Sequence, residues 1–541
     1  MDSHNYAYIT HNEELKLEEL VAVARGGAKL KLHVSAKAII SDSRNAVEQM
    51  LKEGRVVYGI TTGFGSFYNK TINPDETHEL QRNLIESHAC GIGNPLPEDV
   101  VRAMILLRVK SLSQGFSGIR LSTIEKLLEM LNKNVVPVVP EKGSLGASGD
   151  LCPLSHLALP LLGKGEAFFN GKRMDGKEAM ACAGIETIEL EAKEGLALNN
   201  GTQCMTAIGA LAVYDALNLL ETAELSAALS LEALNGRIDA FEPSIHELRR
   251  QEGQKISAQR MRKNTANSTF LYDMNTDQQF ERVQDAYALR CIAQVHGASR
   301  DAINYVKSII TREMNAVTDN PLIFDSKAIS SGNFHGQPVA LAMDFLGIAL
   351  AELANISERR LERMVNKDLS NGLTPYLTDK DKGGLHSGFM IVQYAAAALV
   401  SENKVLAHPA SVDSISSSNN QEDHVSMGTI AARKAVEILE NTLQVIAMEL
   451  LTAAQAIDLR RTGVERGGLD EKERPKWANG AKLPTELGDK TRRVFEMIRQ
   501  NVDAMMEDRV IAPDIAKVSE MIKKHDFFAH EMQGAITLNS L

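Results

Sequence analysis

Beyond about residue 200 the chain repeats apolar positions at helical spacing. Ala-, Leu- and Glu-rich stretches run from Ala210 to Asn235, Ala298 to Ala316, Ile348 to Asn366 and Met390 to Ala407, and each predicts a helix. The clearest lies between Gly428 and Gly463, where about 34 residues hold neither glycine nor proline and would span about 50 Å as one helix. Its apolar residues, among them Ala431, Ala435, Ile438, Leu439, Leu443, Ile446, Leu450 and Ala454, cover a broad face. Such a face predicts a place at the centre of a bundle or across subunits, hence a homo-oligomer. The first 200 residues read differently. Short β-like runs, Val56-Val57-Tyr58 and Asn134 to Val139, are broken by glycine and proline among amphipathic helical segments. The expected fold is therefore mainly α: a mixed N-terminal domain over 1–200, then a long central helical bundle and C-terminal helical region over 201–541. From Thr462 to Asp489 the chain turns Gly-, Lys- and Glu-rich around the sole tryptophan, Trp477, and reads as a surface insertion.

Composition narrows the partners. At 541 residues and 44% hydrophobic content the chain can bury a large core, and its net charge of −11, with no dense Lys/Arg stretch among aromatics, argues against nucleic acid and anionic membranes. A small-molecule substrate fits better. The N-terminal residues lack the basic and apolar parts of a secretory signal, and the most apolar later stretch, Val339 to Ile356, is interrupted by Asp344 and Glu352, so a cytoplasmic protein is expected. Five cysteines (Cys90, Cys152, Cys182, Cys204, Cys291), odd in number and without a Cys-x-x-Cys pair, predict reduced thiols rather than a disulfide framework or zinc site. The fourteen histidines form no His-Glu-x-x-His, and no required metal is expected.

The most informative run is Glu141-Lys-Gly-Ser-Leu-Gly-Ala-Ser-Gly-Asp-Leu-Cys-Pro-Leu-Ser155. If a tight bend presses the Gly149 nitrogen onto the Ala147 carbonyl, the backbone can cyclise, and loss of two waters leaves an exocyclic methylene from Ser148. Gly149 has no Cβ to block that approach, Ser148 carries the hydroxyl that must leave, and Ala147 is small enough not to crowd the ring. The product is a 4-methylidene-imidazol-5-one, an electrophile made from the chain itself. Asp150 occupies the last glycine position of a Gly-x-Ser-x-Gly nucleophile elbow, so that reading fails.

An electrophile of this kind takes up a nucleophile, and proton transfer at a neighbouring carbon needs a base held beside it. Tyr58, in Val57-Tyr-Gly-Ile-Thr-Thr-Gly-Phe-Gly65, is a candidate base on a glycine-rich loop, although the segment alone reads more readily as a packed loop tyrosine. Leu198-Asn-Asn-Gly-Thr-Gln203 offers Asn200 at the entry to a helix, where backbone N–H groups gather. Gln284, Tyr287 and Arg290 stand at steps of three, near one face if helical, and by themselves are equally a solvated face. Ser331-Gly-Asn-Phe-His335 and Ser418-Asn-Asn-Gln-Glu-Asp-His-Val-Ser-Met427 add Phe334 and Glu422.

Together, and in this order, these segments resemble the aromatic amino acid ammonia-lyase and aminomutase family. The resemblance implies the cyclised Ala147-Ser148-Gly149 group, Tyr58 as catalytic base, Arg290 for the substrate carboxylate, and Asn200, Gln284 and Tyr287 for nearby hydrogen bonds, with Phe334 in the pocket. It also implies a homotetramer with active sites built from more than one subunit. The substrate is suggested by Asn83-Leu-Ile-Glu-Ser-His-Ala-Cys-Gly-Ile-Gly93 with Asn420-Gln-Glu-Asp-His424. His88 and Glu422 can both address an imidazole, whereas a carboxylate facing a phenyl ring would be an unpaired buried charge. Both segments look like the histidine-specific members, implying conversion of L-histidine to trans-urocanate and ammonia, the first step of histidine degradation. Tyrosine or phenylalanine lyases and 2,3-aminomutases use the same electrophile, and whether amine or ring attacks it stays open. The chain departs from the family at Asn199, where isoleucine is usual, and at Cys152, where alanine is frequent.

Overall fold

The computed structural model describes residues 6–273, 283–379, 382–462 and 486–528, so most of the expected insertion over 462–489, Trp477 included, lies outside the described residues. In the N-terminal part, helix α1 (Thr77–His88) is followed by strand β1 (Ile92–Pro95), helix α2 (Glu98–Leu112) and strand β2 (Pro140–Lys142). β1 and β2 pair antiparallel. Val56 and Val57, expected to be β-like, are irregular and lead into a turn that begins at Tyr58, and of the run over 134–139 only Val136–Pro137 is strand. The reason is local: glycines at 54 and 59 bracket the first run, and both take positive φ (64° and 68°), which breaks an extended chain. Helix α3 (Leu151–Ala158) follows the electrophile loop, and α4 (Glu194–Asn199) leads into the bundle.

The bundle consists of α5 (Gln203–Ala233), α6 (Ile292–Met314), α7 (Gln337–Val365), α8 (Met390–Leu406) and α9 (Gly428–Thr462). α5, α7 and α9 pack on one another, with α6 and α8 alongside. The α9 limits agree with the glycine-free run, but α5, α6 and α7 begin earlier than the sequence pattern predicts. Each early start crosses a glycine that packing requires. A Cβ on Gly209 of α5 would stand 2.9 Å from Met343 Sδ and 3.0 Å from Ile310 Cδ1, and one on Gly297 of α6 would stand 2.4 Å from the Gln254 nitrogen. Close approach outweighs the helix propensity lost, about 1 kcal/mol for glycine against alanine.

α5, α7 and α9 are long and apolar enough to cross a bilayer by length and composition, yet 78%, 67% and 89% of their apolar windows are buried inside the protein. Most of the apolar surface of these helices packs inside the protein. Burial carries polar groups too: Arg360 of α7 and Glu449 of α9 are both without exposure and pair bidentately, with Arg360 Nη2 3.0 Å from Glu449 Oε2. Hydroxyls of Ser230 and Ser357 complete the carboxylate, which ties all three helices. One continuous set of buried apolar residues runs from Ile9 to Phe527, so both halves of the chain share a core.

Candidate active site

Three helix starts meet at Asp150, and this junction presents the electrophile loop. Asp150 immediately precedes α3, accepts the Met205 N–H in the first turn of α5 at 2.9 Å, and accepts hydroxyl hydrogen bonds from Thr429 at the start of α9 and from Ser144 at 2.8 Å. It has no exposure; burial pushes its carboxyl up, while these donors pull it down. The loop before it is clamped on both sides. Ser426 donates both its N–H and its hydroxyl to the Gly146 carbonyl, each at 3.2 Å, and Ala147 packs against Val425 and Met427.

Gly149 sits at φ +72°, and a Cβ there would stand 2.2 Å from the Gly201 carbonyl oxygen and 3.1 Å from that of Phe334. Only glycine fits. The Asp150 N–H donates to the Gly201 carbonyl at 2.7 Å, seating the loop on the turn between α4 and α5. Beneath that turn Arg108 of α2, fully buried, donates from Nη1 to the Asn200 carbonyl (2.9 Å), Gln203 Oε1 (2.8 Å) and the Thr318 carbonyl (3.1 Å). Burial pushes its guanidinium down to about 10. Asn200 turns its Nδ2 toward the Ser148 carbonyl at 3.5 Å.

A cleft of about 690 Å³ opens over Ser148, lined also by Tyr58, Phe64, His88, Leu196, Asn200, Ser417 and Glu422. That volume suits a small ligand. Tyr58 is held by its loop: Thr61 Oγ1 donates to the Arg55 carbonyl and accepts the Val57 N–H, and the Gly65 N–H donates to Tyr58 Oη at 3.2 Å. Burial raises the Tyr58 phenol, the negative Glu422 adds to that, and the Gly65 N–H opposes both. His88 ends α1, and burial lowers its imidazole, which keeps it neutral near pH 7. Glu422 is carried on a tight turn in which Ser417 and Glu422 exchange backbone N–H···O bonds (2.8 and 3.2 Å), and the Ser418 hydroxyl accepts the Ser66 N–H of the Tyr58 loop.

The cleft thus gathers Tyr58, His88, Ser148, Asn200 and Glu422, with Ala147 and Gly149 behind Ser148 and the Phe334 backbone against the loop. Gln284, Tyr287 and Arg290 do not line it. Only Tyr287–Arg290 is helical, one turn long, so the expected shared helical face does not extend to Gln284. Tyr287 is 70% exposed, with the Arg290 guanidinium 4.5 Å above its ring and Arg290 Nε donating to the Asp285 carbonyl. Arg108 and Thr429 escaped the sequence reading because each acts through a partner distant in sequence, and Ser417 because a turn closed on Glu422 five residues later has no motif of its own. Asp150 was visible within its motif, but nothing there shows the three helices it joins.

Known proteins place this architecture. A family model described as aromatic amino acid lyase matches residues 15–500. A histidine ammonia-lyase of Alkaliphilus oremlandii is 55% identical over 94% of this chain and 95% of its own length. The crystal structure of histidine ammonia-lyase from Trypanosoma cruzi superposes with a TM-score of 0.85 at 41% identity, covering 96% of this chain and 94% of that one. A tyrosine aminomutase from Streptomyces globisporus superposes at 0.88 with 35% identity, covering 98% and 100%. Backbone shape is therefore common to enzymes named for different activities, while identity over nearly the whole length is higher to the histidine lyases. The chain belongs to the aromatic amino acid lyase family.

Proposed function

We propose that this protein is a histidine ammonia-lyase, a carbon–nitrogen lyase that takes ammonia from L-histidine and releases trans-urocanate. The meeting of Tyr58, His88, Ser148 and Glu422 around one cleft carries the reading, and the identity to histidine ammonia-lyases supports it.

The triplet Ala147-Ser148-Gly149 would hold the methylidene-imidazolone, and its surroundings fit such a group. Gly149 is packed too tightly for any side chain, and Asn200 combines an amide nitrogen near the Ser148 carbonyl with a buried Oδ1 that has no protein partner. Once formed, the group supplies an electrophilic carbon that makes the substrate's amine a workable leaving group. Tyr58 Oη takes the β-proton. Burial and Glu422 both raise this phenol, and the Gly65 N–H is the group that favours its base form. Neutral His88 gives the substrate imidazole an uncharged hydrogen-bonding partner, and Glu422 accepts from the ring N–H.

Arg290 binds the substrate carboxylate, with hydrogen bonds from Gln284 and Tyr287 and apolar contact from Phe334. Since the 284–290 set does not line the cleft of its own chain, it serves a neighbouring subunit in a homotetramer. Exposed apolar residues on α7 and α8, Phe345 (42%), Ile391 (60%) and Tyr394 (59%), support such an assembly. We place the enzyme in the cytoplasm and assign no metal to the reaction.

Initial rates on L-histidine, L-tyrosine and L-phenylalanine, read by the absorbance of urocanate, coumarate and cinnamate, test the reading. A phenyl ring leaves both polar partners unsatisfied, at roughly 1–3 kcal/mol each, so histidine exceeds phenylalanine in kcat/KM by at least about 100-fold. Equal values for the three, or a β-amino acid as the main product, overturn it.

A further inference from the structure

Two thiols meet where the electrophile loop joins its helix. Cys152 stands in the first turn of α3 and is 7% exposed, while Cys90 lies just beyond the end of α1, which closes with His88, and is exposed. Pairing of β1 with β2, with Ile92 opposite Lys142, sets Gly91 beside Gly143. A Cβ built on Gly143 would stand 2.9 Å from Cys152 Sγ and 3.2 Å from the Gly91 Cα, so the sulfur lies beside the backbone next to Cys90. One helical turn on, His156 Nε2 accepts the Gly91 N–H at 2.9 Å. Cys152 and His156 share a face of α3 by their spacing of four, and residues 90–91 lie along that face. The Cys90 thiol is close enough to influence the titration of the Cys152 thiol. The elimination reaction uses neither sulfur.

We propose that Cys90 and Cys152 are a reversible redox pair, whose disulfide ties the His88 end of α1 to the helix of the electrophile loop and slows turnover. The bond itself is independent of the enzyme's activity; its effect on turnover rests on the histidine ammonia-lyase reading above.

The oxidant is a low-molecular-weight disulfide such as oxidised glutathione. Cys90, exposed and therefore the point of entry, loses its proton and attacks that disulfide, forming a mixed disulfide and expelling one small thiolate that takes up a proton. Cys152 then loses its proton and attacks Cys90 Sγ; the protein disulfide forms, the mixed one breaks, and a second small thiol leaves. Two protein thiols are oxidised and one small disulfide is reduced to two thiols. Burial pushes the Cys152 thiol up to about 11, so the second step is slow at neutral pH and quickens as pH rises. A disulfide holds its Cβ atoms about 3.8 Å apart, so residues 89–91 must settle onto α3. His88 moves with them, and a misplacement of about 1 Å at a catalytic site can cost up to about 100-fold in rate.

The whole protein is incubated with oxidised glutathione in excess over reduced, acid-quenched, alkylated and digested. A Cys90–Cys152 cross-linked peptide, about 2 Da lighter than its two reduced halves, is expected. Urocanate formation falls about tenfold or more and returns with dithiothreitol. Cys152→Ala keeps the reduced enzyme's rate, gives no cross-link and accumulates glutathione on Cys90. Glutathione that stays on Cys90 of the wild type without the cross-linked peptide overturns the pair. A complete cross-link with an unchanged rate overturns its effect on turnover. If reduced wild type makes no urocanate, the functional reading fails, while the peptide still decides the pair.

Discussion

The bundle and the cleft both bury polar groups, and they differ in how those groups are satisfied. In the bundle, Arg360 and Glu449 close on each other and on two serine hydroxyls, with no exposure of either charge. In the lining of the cleft Asn200 Oδ1, and behind that lining Asn199 Oδ1 and Arg108 Nε and Nη2, are buried without protein partners. An unsatisfied buried polar group costs roughly 1–3 kcal/mol, a cost a fold tolerates where a ligand, water or covalent change supplies the missing partner. The Glu449 carboxylate thus ties three helices together, whereas the partnerless Asn200 Oδ1 in the cleft lining leaves a place for a ligand or the cyclised group to bind. Substitutions on the two sides should therefore separate rate from stability.

The largest expected effect is on the cleft side. Ser148→Ala removes the hydroxyl that must leave to make the methylene, so urocanate formation falls to background while the thermal unfolding midpoint stays with the wild type. Turnover at the wild-type rate, or a large loss of midpoint, erases the distinction. Next is the bundle: Glu449→Ala strands the buried Arg360 charge and costs about 3–5 kcal/mol in denaturant unfolding, with kcat for the folded fraction near wild type. A stability change below about 1 kcal/mol would show that the pair does not hold the helices.

Tyr58→Phe should lower kcat about 100-fold, near 2.7 kcal/mol of barrier, without touching stability. An unchanged kcat removes Tyr58 from proton transfer. Glu422→Gln gives the smallest effect and the most particular one. Glu422 holds the Tyr58 phenol up, so removing its charge lowers that pKa, and the rise of rate with pH moves to lower pH even as the plateau on histidine drops. A limb that moves upward or stays fixed contradicts the electrostatic account of the cleft.

The same contrast governs what the sequence reveals. The α9 helix is legible because nothing within 429–462 interrupts it and Gly463 follows, whereas Gly209 and Gly297 look like interruptions until the side chains packed against them are seen. The electrophile triplet, Tyr58, His88 and Glu422 are legible as motifs, because reacting groups need particular residue types. Their meeting in one cleft depends on the turn at Ser417 and the Arg108 clamp under Asn200, which carry no local signature. Arg290 shows a limit of spacing: steps of three suggest a common face, but the helical turn starts at Tyr287 and leaves Gln284 outside it. The Cys90–Cys152 meeting is hidden for a similar reason, since the pairing of β1 with β2 and the Gly91–His156 hydrogen bond bring the two segments together.

Everything assigned to the cleft depends on Ala147, Ser148 and Gly149 having become an electrophile, and the intact mass of the purified wild-type protein tests that most directly. Cyclisation with loss of two waters predicts a mass about 36 Da below that of the amino-acid sequence, and Ser148→Ala, lacking the hydroxyl, cannot show the full loss. A wild-type preparation that makes urocanate at the full sequence mass would contradict the account.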